Sequence, residues 1–382
     1  MNNVYLSYNN IISSLGFTSE EVVGNIHNEI SGLKLINNKN LCQKPFYSSL
    51  VDTDRLEKKF FKLSPNNQYT RLEQMMISSL SNTISASGIK LTDRVGLVIA
   101  TTKGNVDVLD TNNPFSKKRA YLSELGKHIS QFFGFSKDAI IVSNACVSGV
   151  LAIAVAKRYI TQGIYDHMFV VAGDVVTEFI LSGFNSFQAM SEEHCKPYCK
   201  SRKGINIGEV AASVLVTTNT NYLNEESVEV LGEGSCNDAN HISGPSRTGE
   251  GLYRSINSAL KQANLSSSDI DYISAHGTAT SFNDEMEAIT FNRCGLDKVP
   301  VNSLKGYFGH TLGASGLLET IIGIHSLKNN TLYTSLGFDE LGVTKSINVI
   351  EKVTFKPLKT FIKTASGFGG CNTAVVFNKI KQ

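Results

Sequence analysis

The chain has 382 residues, of which 41% are hydrophobic and 18% are charged, a composition typical of a globular protein with a sizeable core. Its 36 basic and 34 acidic residues leave a formal net charge of +2, which argues against a surface built to bind nucleic acid. Seven cysteines, odd in number and scattered, favour free thiols in a reducing compartment over a disulfide framework.

The first residues, MNNVYLSYNN, lack the basic and apolar regions of a signal peptide. No run reaches the roughly 18 apolar residues that a membrane-spanning helix needs. No linker rich in proline, glycine or serine divides the sequence, so domains strung together by linkers are not expected. We therefore expect a cytoplasmic protein with no membrane span.

Apolar runs with the composition of strands alternate along the chain with runs of helical periodicity. The predicted strands cover residues 95–100, 139–143, 168–172, 212–217, 270–274, 299–303, 360–364 and 373–377. The predicted helices cover residues 148–161, 249–264, 283–294 and 313–328. This alternation predicts an α/β fold.

The order of features in the first half of the chain recurs in the second half. A strand at 139–143 leads into small residues and an apolar helix, and a strand at 299–303 leads through a longer loop into a similar sequence. Each half later has a glycine-containing turn before an aliphatic strand, at 208–216 and at 369–376. The repeated order predicts two duplicated α/β halves with buried helices between sheets.

Cys146 lies between a predicted strand and the predicted helix at 148–161, and the small residues Ser148 and Gly149 follow it. A cysteine among alanine, valine and isoleucine is often only a small core residue. Near a helix N-terminus, however, the partial positive charge of the helix favours the thiolate and is expected to lower the thiol pKa. Gly149 also leaves room for a substrate or for another backbone. Position alone leaves packing and catalysis equally open.

Further polar residues follow other predicted strands. His276 comes directly after one strand, and Lys305 and His310 lie in a glycine-containing loop after the next. The turn TASGFGGCN at 364–372 has glycines that permit unusual dihedral angles and expose backbone N–H groups. Each feature alone has a structural explanation. Together with Cys146 they place a nucleophile, two imidazoles and an ammonium at strand ends of one α/β body.

Other kinds of site are less well supported. His194, Cys195 and Cys199 lack the second ligand pair of a zinc site. Neither the dinucleotide-binding nor the nucleoside-triphosphate-binding glycine motif is present. Asp284 and Glu287 are explained equally well as charges in the first turn of a helix beginning near Asn283. A protease-like pair of cysteine and histidine leaves the second histidine and the lysine unexplained.

Four short blocks occur in a fixed order, and in them the chain resembles the β-ketoacyl-acyl carrier protein synthases, condensing enzymes of the thiolase superfamily. The blocks are Asn144-Ala145-Cys146-Val147-Ser148-Gly149, then His276-Gly277-Thr278-Ala279-Thr280 with Asp284 and Glu287, then residues 302–316 around Lys305 and His310, and finally Gly367-Phe368-Gly369-Gly370-Cys371-Asn372. The likeness runs from about residue 95 to the C-terminus. The second histidine resembles that of the elongating members, and the presence of Cys146 distinguishes the chain from chain-length factors.

The resemblance implies a thiolase-like fold, in which duplicated α/β halves form a five-layer α-β-α-β-α architecture. Residues 1–218 would be the half that carries the nucleophilic cysteine. Residues 219–382 would carry the two histidines and the lysine.

The resemblance also implies a 3-oxoacyl-acyl carrier protein synthase. Cys146 would form an acyl thioester whose oxyanion is held by backbone N–H groups of Cys146 and Phe368. His276 and His310 would bind the carbonyl of a malonyl thioester during its decarboxylation. The carbon released in this way would attack the acyl group in a Claisen condensation, as part of fatty acid, polyketide or polyene elongation.

The remaining site residues have supporting roles by the same resemblance. Lys305 would pair with Glu287 and hold the loop of His310. Thr278 and Thr280 would bind the phosphopantetheine arm of the substrate, and Phe368 would gate the acyl pocket. No metal or redox cofactor is implied.

The implied partners are an acyl carrier protein loaded with acyl or malonyl groups and a second subunit, in a homodimer or in a heterodimer with a related ketosynthase-like chain. No nucleic acid is implied. Two alternatives stay open. One is a coenzyme A-dependent thiolase, which would use Cys371 as acid and base, and the other is a non-catalytic partner subunit of a ketosynthase heterodimer. The segment at 197–204 and the bulky Tyr307 and Phe308 depart from the family pattern.

Overall fold

The computed structural model describes residues 3–65, 68–239 and 244–380. In these ranges the strands are β1 (Tyr5–Ile12), β2 (Lys34–Ile36), β3 (Phe46–Ser49), β4 (Val95–Ala100), β5 (Ile140–Val142), β6 (His167–Asp174), β7 (Ile207–Gly208), β8 (Val210–Thr217), β9 (Val228–Asn237), β10 (Tyr272–Ser274), β11 (Pro300–Asn302), β12 (Thr331–Leu332), β13 (Asn348–Val349), β14 (Thr354–Phe355), β15 (Thr360–Gly367) and β16 (Cys371–Lys379). The α-helices are α1 (Ser19–His27), α2 (Thr53–Phe61), α3 (Arg71–Ser87), α4 (Leu122–Phe133), α5 (Ser148–Thr161), α6 (Glu178–Ser186), α7 (Glu250–Ala263), α8 (Ser281–Arg293), α9 (Lys305–Phe308) and α10 (Ser315–Asn329). All eight predicted strands and all four predicted helices are confirmed, with ends that differ by a few residues.

Eleven of the described strands form one twisted sheet in the order β13-β11-β10-β15-β16-β9-β1-β8-β6-β4-β5. Near its middle, β1 and β9 are joined by only two residue pairs, Tyr5 with Glu229 and Leu6 with Val228. The sheet is therefore two subsheets that meet at a short seam.

The two subsheets have the same topology. When the main strands of each are numbered along the chain, both β1-β8-β6-β4-β5 and β9-β16-β15-β10-β11 have the order 1-5-4-2-3. In both subsheets, the first two of the four strand pairings in this order are antiparallel and the last two are parallel. This repetition supports the division into residues 1–218 and 219–382, which we propose as the two halves of a duplicated fold.

Alternate residues of the central strands face different layers, as the two-residue period of a strand requires. Along β6, Met168 and Val170 pack in the core that contains α5 and α10, whereas Phe169 and Val171 pack in the core that contains α3 and α4. The second subsheet covers the other side of α5 and α10, and its outer face packs on α7 and α8. The predicted five-layer α-β-α-β-α architecture is therefore confirmed.

Helices α5 and α10 approach each other closely at their N-terminal ends, where each has a glycine. A Cβ atom on Gly149 would lie 2.7 Å from the Gly313 carbonyl oxygen, and one on Gly316 would lie 2.6 Å from the Val150 nitrogen. The space beside Gly149 thus admits the backbone of another helix rather than a substrate. This contact fixes the N-terminal end of α5 against the second half of the chain.

Bulky Tyr307 and Phe308 belong to α9 and are fully buried in the central core. They support the loop that carries His310. None of the helices in the described part of the chain combines the length and the apolar character needed to cross a lipid bilayer.

Candidate active site

Cys146 lies in a tight turn between β5 and α5. Ala145 has a φ of +43°, a left-handed conformation that side chains other than glycine rarely adopt. The turn is held by Ser148, whose Oγ accepts a hydrogen bond from Asn144 N at 2.8 Å and donates one to Ala145 O at 2.7 Å. Such a strained turn from strand to helix presents the nucleophile in several enzyme folds.

The sulfur of Cys146 faces a cavity of about 610 Å³. The described residues that line this cavity include all but two of those predicted for the site, namely Cys146, His276, Thr278, Thr280, His310 and Phe368. Lys305 and Glu287 lie behind the lining, and Cys371 does not contribute to it.

Cys146 and His310 form a pair of a thiol and an imidazole in direct contact. Cys146 Sγ is 3.0 Å from His310 Nε2, and His310 Nδ1 is 3.1 Å from the Ser315 hydroxyl, which fixes the ring from its other side. The ring of His276 lies 5.2 Å from that of His310, at an interplanar angle of 84°. The structure therefore brings the thiol and both imidazoles, from segments far apart in the sequence, to one end of the cavity.

The electrostatics of this pair differ from the sequence-based expectation. Burial raises the pKa of Cys146 to about 12, and this effect outweighs the neighbouring charges and dipoles. Burial, followed by the charge of Lys305, holds the pKa values of His276 and His310 well below their ordinary value. The expectation that the helix terminus lowers the pKa of Cys146 was wrong, because Cys146 is desolvated and precedes the first turn of α5. The resting pair is a neutral thiol beside a neutral imidazole.

We predict that alkylation of Cys146 by iodoacetamide accelerates steadily from pH 7 to pH 10. Only the thiolate reacts, and below a raised pKa its fraction increases about tenfold with each pH unit. The rate is measured by intact mass and peptide mapping across the pH series. In the urea-unfolded chain the rate should level off above the ordinary thiol pKa of 9.0. A plateau near neutral pH in the folded protein would contradict the prediction.

Lys305 does not pair with Glu287, and that prediction was wrong. Its Nζ lies 2.8 Å from Glu319 Oε1 and donates a hydrogen bond to the His276 carbonyl oxygen at 2.5 Å. Glu319 Oε2 lies 2.6 Å from the Nζ of a second buried lysine, Lys363. One buried carboxylate therefore bridges two buried ammonium groups beneath His276.

Glu287 holds the backbone of the same segment from the opposite side. Its carboxylate accepts hydrogen bonds from His276 N at 2.8 Å, from Gly277 N at 2.7 Å and from the Tyr198 hydroxyl at 2.9 Å. Asp284 likewise accepts from Thr278 N at 2.9 Å. Both carboxylates lie in α8, which begins at Ser281, and both shape the loop after β10 rather than merely charging the helix end.

Phe368 closes the cavity on the other side of Cys146. Its backbone N–H points at the Cys146 sulfur and lowers the thiol pKa against the larger effect of burial. Its ring stacks on Phe184 at 5.6 Å and meets Phe187 edge-on at 5.2 Å. The following glycines, Gly369 and Gly370, have φ values of +86° and +78°, which make the turn between β15 and β16 possible.

Cys371 is buried near Cys146, and its side chain contacts backbone carbonyl groups. Its Sγ contacts Asn144 O at 3.8 Å and Phe368 O at 3.5 Å, both backbone atoms behind the cavity wall. Burial raises its pKa to about 11. Cys371 is thus close to Cys146 but is not among the residues that line the cavity.

Metal binding has little support in the described residues. Cys146, His276 and His310 each offer a ligand atom, and these atoms lie within 4.8 Å of one another. However, Lys305 and Lys363 both disfavour positive charge on the histidines, so the field suits a developing negative charge better than a dication. The three residues His194, Cys195 and Cys199 do not form a common site. His194 packs on Tyr47, Cys195 Sγ contacts Lys305 O, and Cys199 Sγ contacts Asp339.

The segment at 197–204 forms one side of the approach to the site. Lys203 lines the cavity and pairs with Glu193 at 2.6 Å, and both side chains are largely exposed. Arg202 is partly buried, and its guanidinium donates to the carbonyl oxygens of Cys199 and Gly342. In this segment, which departs from the family pattern, Arg202 therefore holds the local backbone, and Lys203 faces solvent at the entrance of the cavity.

Sequence reasoning missed two charged residues of the site, Glu319 and Lys363. A signal was available, because each is the single charge in an otherwise apolar stretch, GLLETIIGI and FIKTASG. A charge in a buried helix or strand needs a partner of opposite sign. The sequence alone does not say which elements the fold brings together to provide it.

Comparison with known proteins agrees with this geometry. Residues 23–221 match the family described as "Beta-ketoacyl synthase, N-terminal domain", and residues 228–339 match "Beta-ketoacyl synthase, C-terminal domain". The 3-oxoacyl-[acyl-carrier-protein] synthase 2 of Rhizobium meliloti (strain 1021) is 33% identical over 256 residues, which are 62% of this chain and 60% of that protein. A putative mitochondrial 3-oxoacyl-[acyl-carrier-protein] synthase of Schizosaccharomyces pombe is 28% identical over 277 residues, which are 67% of this chain and 65% of that protein.

Among solved structures, a ketosynthase in complex with its chain length factor from Xenorhabdus doucetiae superposes with a TM-score of 0.88. The two chains are 24% identical, and the match covers 99% of this chain and 98% of the other. The fold is therefore the same throughout. The chain spans less than two thirds of the length of the two curated relatives named above.

Proposed function

The chain belongs to the β-ketoacyl synthase family, and we propose that it is an active 3-oxoacyl-acyl carrier protein synthase. The observation that carries this proposal is the contact of 3.0 Å between Cys146 Sγ and His310 Nε2, with His276 and the Phe368 N–H beside it. A partner subunit without catalytic function does not need a thiol, a base and a second imidazole at one end of a cavity.

Acyl transfer comes first. An acyl group arrives as a thioester on the phosphopantetheine arm of an acyl carrier protein, and Cys146 Sγ attacks its carbonyl carbon while His310 Nε2 takes the thiol proton. The oxyanion is held by the backbone N–H groups of Cys146 and Phe368. The intermediate then expels the pantetheine sulfur, which receives the proton from His310. Because burial raises the pKa of Cys146, the thiol needs a base to remove its proton, and His310 Nε2 is the base in contact with it.

Condensation follows with a malonyl thioester. His276 and His310 donate hydrogen bonds to the thioester carbonyl, so that the enolate formed by loss of carbon dioxide is stabilised. The α-carbon of the enolate attacks the acyl carbon on Cys146, and the Cys146 sulfur leaves, giving a 3-ketoacyl thioester longer by two carbons. A neutral imidazole has one N–H, so His310, whose Nε2 is the base in acylation, donates in this step as the tautomer with its proton on Nε2, while Nδ1 accepts from the Ser315 hydroxyl. Burial and the charges of Lys305 and Lys363 keep both imidazoles neutral.

The cavity walls suit an extended polar arm. Thr278 and Thr280 both line the cavity, and their hydroxyls lie 2.8 Å apart, where they can bind the amides of phosphopantetheine. The Phe368 ring, 38% exposed, lines the cavity together with Phe184, on which it stacks, and is placed to gate the acyl group.

The proposed partners are an acyl carrier protein and a second subunit, either another copy or a related ketosynthase-like chain. The relatives' names include the carrier protein, and the solved neighbour named above is a complex with a chain length factor. We place the protein in the cytoplasm, a proposal supported by its seven cysteines, all within the described residues and all free.

The decisive test compares two reactions of the purified protein, decarboxylation of malonyl-acyl carrier protein and cleavage of acetoacetyl-coenzyme A. We expect decarboxylation and, with a panel of acyl carrier proteins, an acyl adduct on Cys146 detected by mass spectrometry. Activity in cleavage alone would favour a thiolase and contradict the proposal. A Cys146 that is inert toward both acyl carriers and iodoacetamide would favour the non-catalytic subunit.

A further inference from the structure

Lys363 is a buried lysine in the middle of β15, a strand whose neighbouring residues are apolar or small. Its Nζ donates hydrogen bonds to the carbonyl oxygens of Ser274 and Ala275, each at 3.1 Å, and of Thr364 at 2.8 Å. It also lies 2.6 Å from Glu319 Oε2. An ammonium has three protons to donate, and a buried one is tolerated only when acceptors surround it. Lys363 is therefore held by a complete set of acceptors.

Two of these acceptors, the carbonyl oxygens of Ser274 and Ala275, lie at the end of β10. β10 pairs with β15 through Ser274 and Lys363 and then stops, so the next carbonyl groups lack a strand on that side. Lys363 takes the carbonyls of Ser274 and Ala275, and Lys305 takes that of His276. Three consecutive carbonyl groups leading to His276 are thus held by two lysines.

The lysines are coupled to each other through one carboxylate. Glu319 contacts Lys305 through Oε1 and Lys363 through Oε2. On the other side of the segment, Glu287 holds the N–H groups of His276 and Gly277. The backbone that carries the His276 ring is consequently fixed by charged groups on both sides.

We propose that Lys363 is a positioning residue, which fixes the end of β10 so that the His276 imidazole is held in place for the malonyl step. The inference rests on the proposed function, because His276 matters there for the malonyl thioester and not for acylation of Cys146. Lys363 contacts neither the cavity nor Cys146 within the described structure. It acts through the backbone of residues 274–276.

The test substitutes Lys363→Met, which keeps the length and apolar body of the side chain and removes its charge and donors. We expect kcat for decarboxylation of malonyl-acyl carrier protein to fall by a factor on the order of 10 to 100, as a displaced catalytic group typically causes. The rate of acylation of Cys146, followed by intact mass, should fall much less, because the contact between Cys146 and His310 and the support of His310 by Ser315 do not involve Lys363.

Lys379→Met is the matched control. Lys379 lies at the far end of β16 and also donates to a backbone carbonyl, that of Leu327 at 2.8 Å, but it is remote from the cavity. Both reaction steps should be unchanged in this variant. If Lys363→Met does not fold, Lys363→Gln, which retains hydrogen-bond donors, is measured in the same two assays by the same criteria.

The outcomes separate the two proposals. A wild-type protein without decarboxylase activity contradicts the proposed function, and the role of Lys363 falls with it. An active wild type with an equally active Lys363 variant overturns the inference alone. Equal losses in acylation and decarboxylation also overturn it, because they indicate a general loss of structure rather than a displaced His276.

Discussion

Replacement of Cys146 by alanine is expected to abolish the acyl-enzyme intermediate and to lower the rate of condensation by a factor on the order of 10⁴ to 10⁶, as loss of a nucleophile does in other enzymes. The sulfur lies 3.0 Å from His310 Nε2 and lines the cavity, so no other described group can take its place. Alanine adds no volume to a side chain that is only 7% exposed, and the turn around it is held by Ser148. The fold should therefore persist, and intact mass after incubation with acyl carrier protein should show no adduct.

Cys371→Ala provides the control for this experiment. Cys371 is also a buried cysteine beside the same turn, yet its sulfur faces backbone carbonyls and not the cavity. We expect this variant to be acylated at Cys146 and to condense normally. An adduct on the Cys146→Ala protein would contradict the nucleophile assignment. A loss of activity in Cys371→Ala, with acylation intact, would instead favour the chemistry of a thiolase.

The regular layers of this fold were predictable because their residues follow the period of each element. β4 reads as an unbroken apolar run, and β6 and β8 are apolar over most of their length, as expected for strands covered on both faces. β1 was missed although it lies at the centre of the sheet. Its register shifts between Ser7 and Asn9, and Tyr8 has a φ of +43°, so the bulge interrupts the alternation that marks a strand.

The sequence predicted which side chains the fold brings together better than it predicted their pKa values and ion pairs. Cys146, His276 and His310 follow strands, and the ends of parallel strands meet at one edge of a sheet. The pKa of Cys146 depends on how completely the fold excludes water from the sulfur, and a position relative to a helix does not report this. The partner of Lys305 was also mistaken, since the pairing depends on how the fold places α10, which carries Glu319, beside Lys305 of α9 and not on spacing along the chain.

The pairing of Lys305 with Glu319 has a consequence for stability as well as for catalysis. Two ammonium groups, 1% and 0% exposed, share one carboxylate that is 3% exposed. Removing the shared partner of buried charges is strongly destabilising, because the remaining charges stay desolvated without compensation. Glu319 is therefore the residue of the site on which folding depends most.

We predict that Glu319→Gln lowers the free energy of unfolding by about 3–5 kcal/mol, measured by urea denaturation. Adding Lys363→Met to this variant should recover part of the loss, because one of the two uncompensated charges is then removed. Glu250→Gln is the matched control, since Glu250 also bridges two cations, Arg254 and Arg293, but with 40% of its side chain exposed. Solvent already screens that network, so its loss should lower the free energy of unfolding far less than the loss of Glu319 does. Equal destabilisation by the two glutamine substitutions would show that burial of the Glu319 network does not govern its energy.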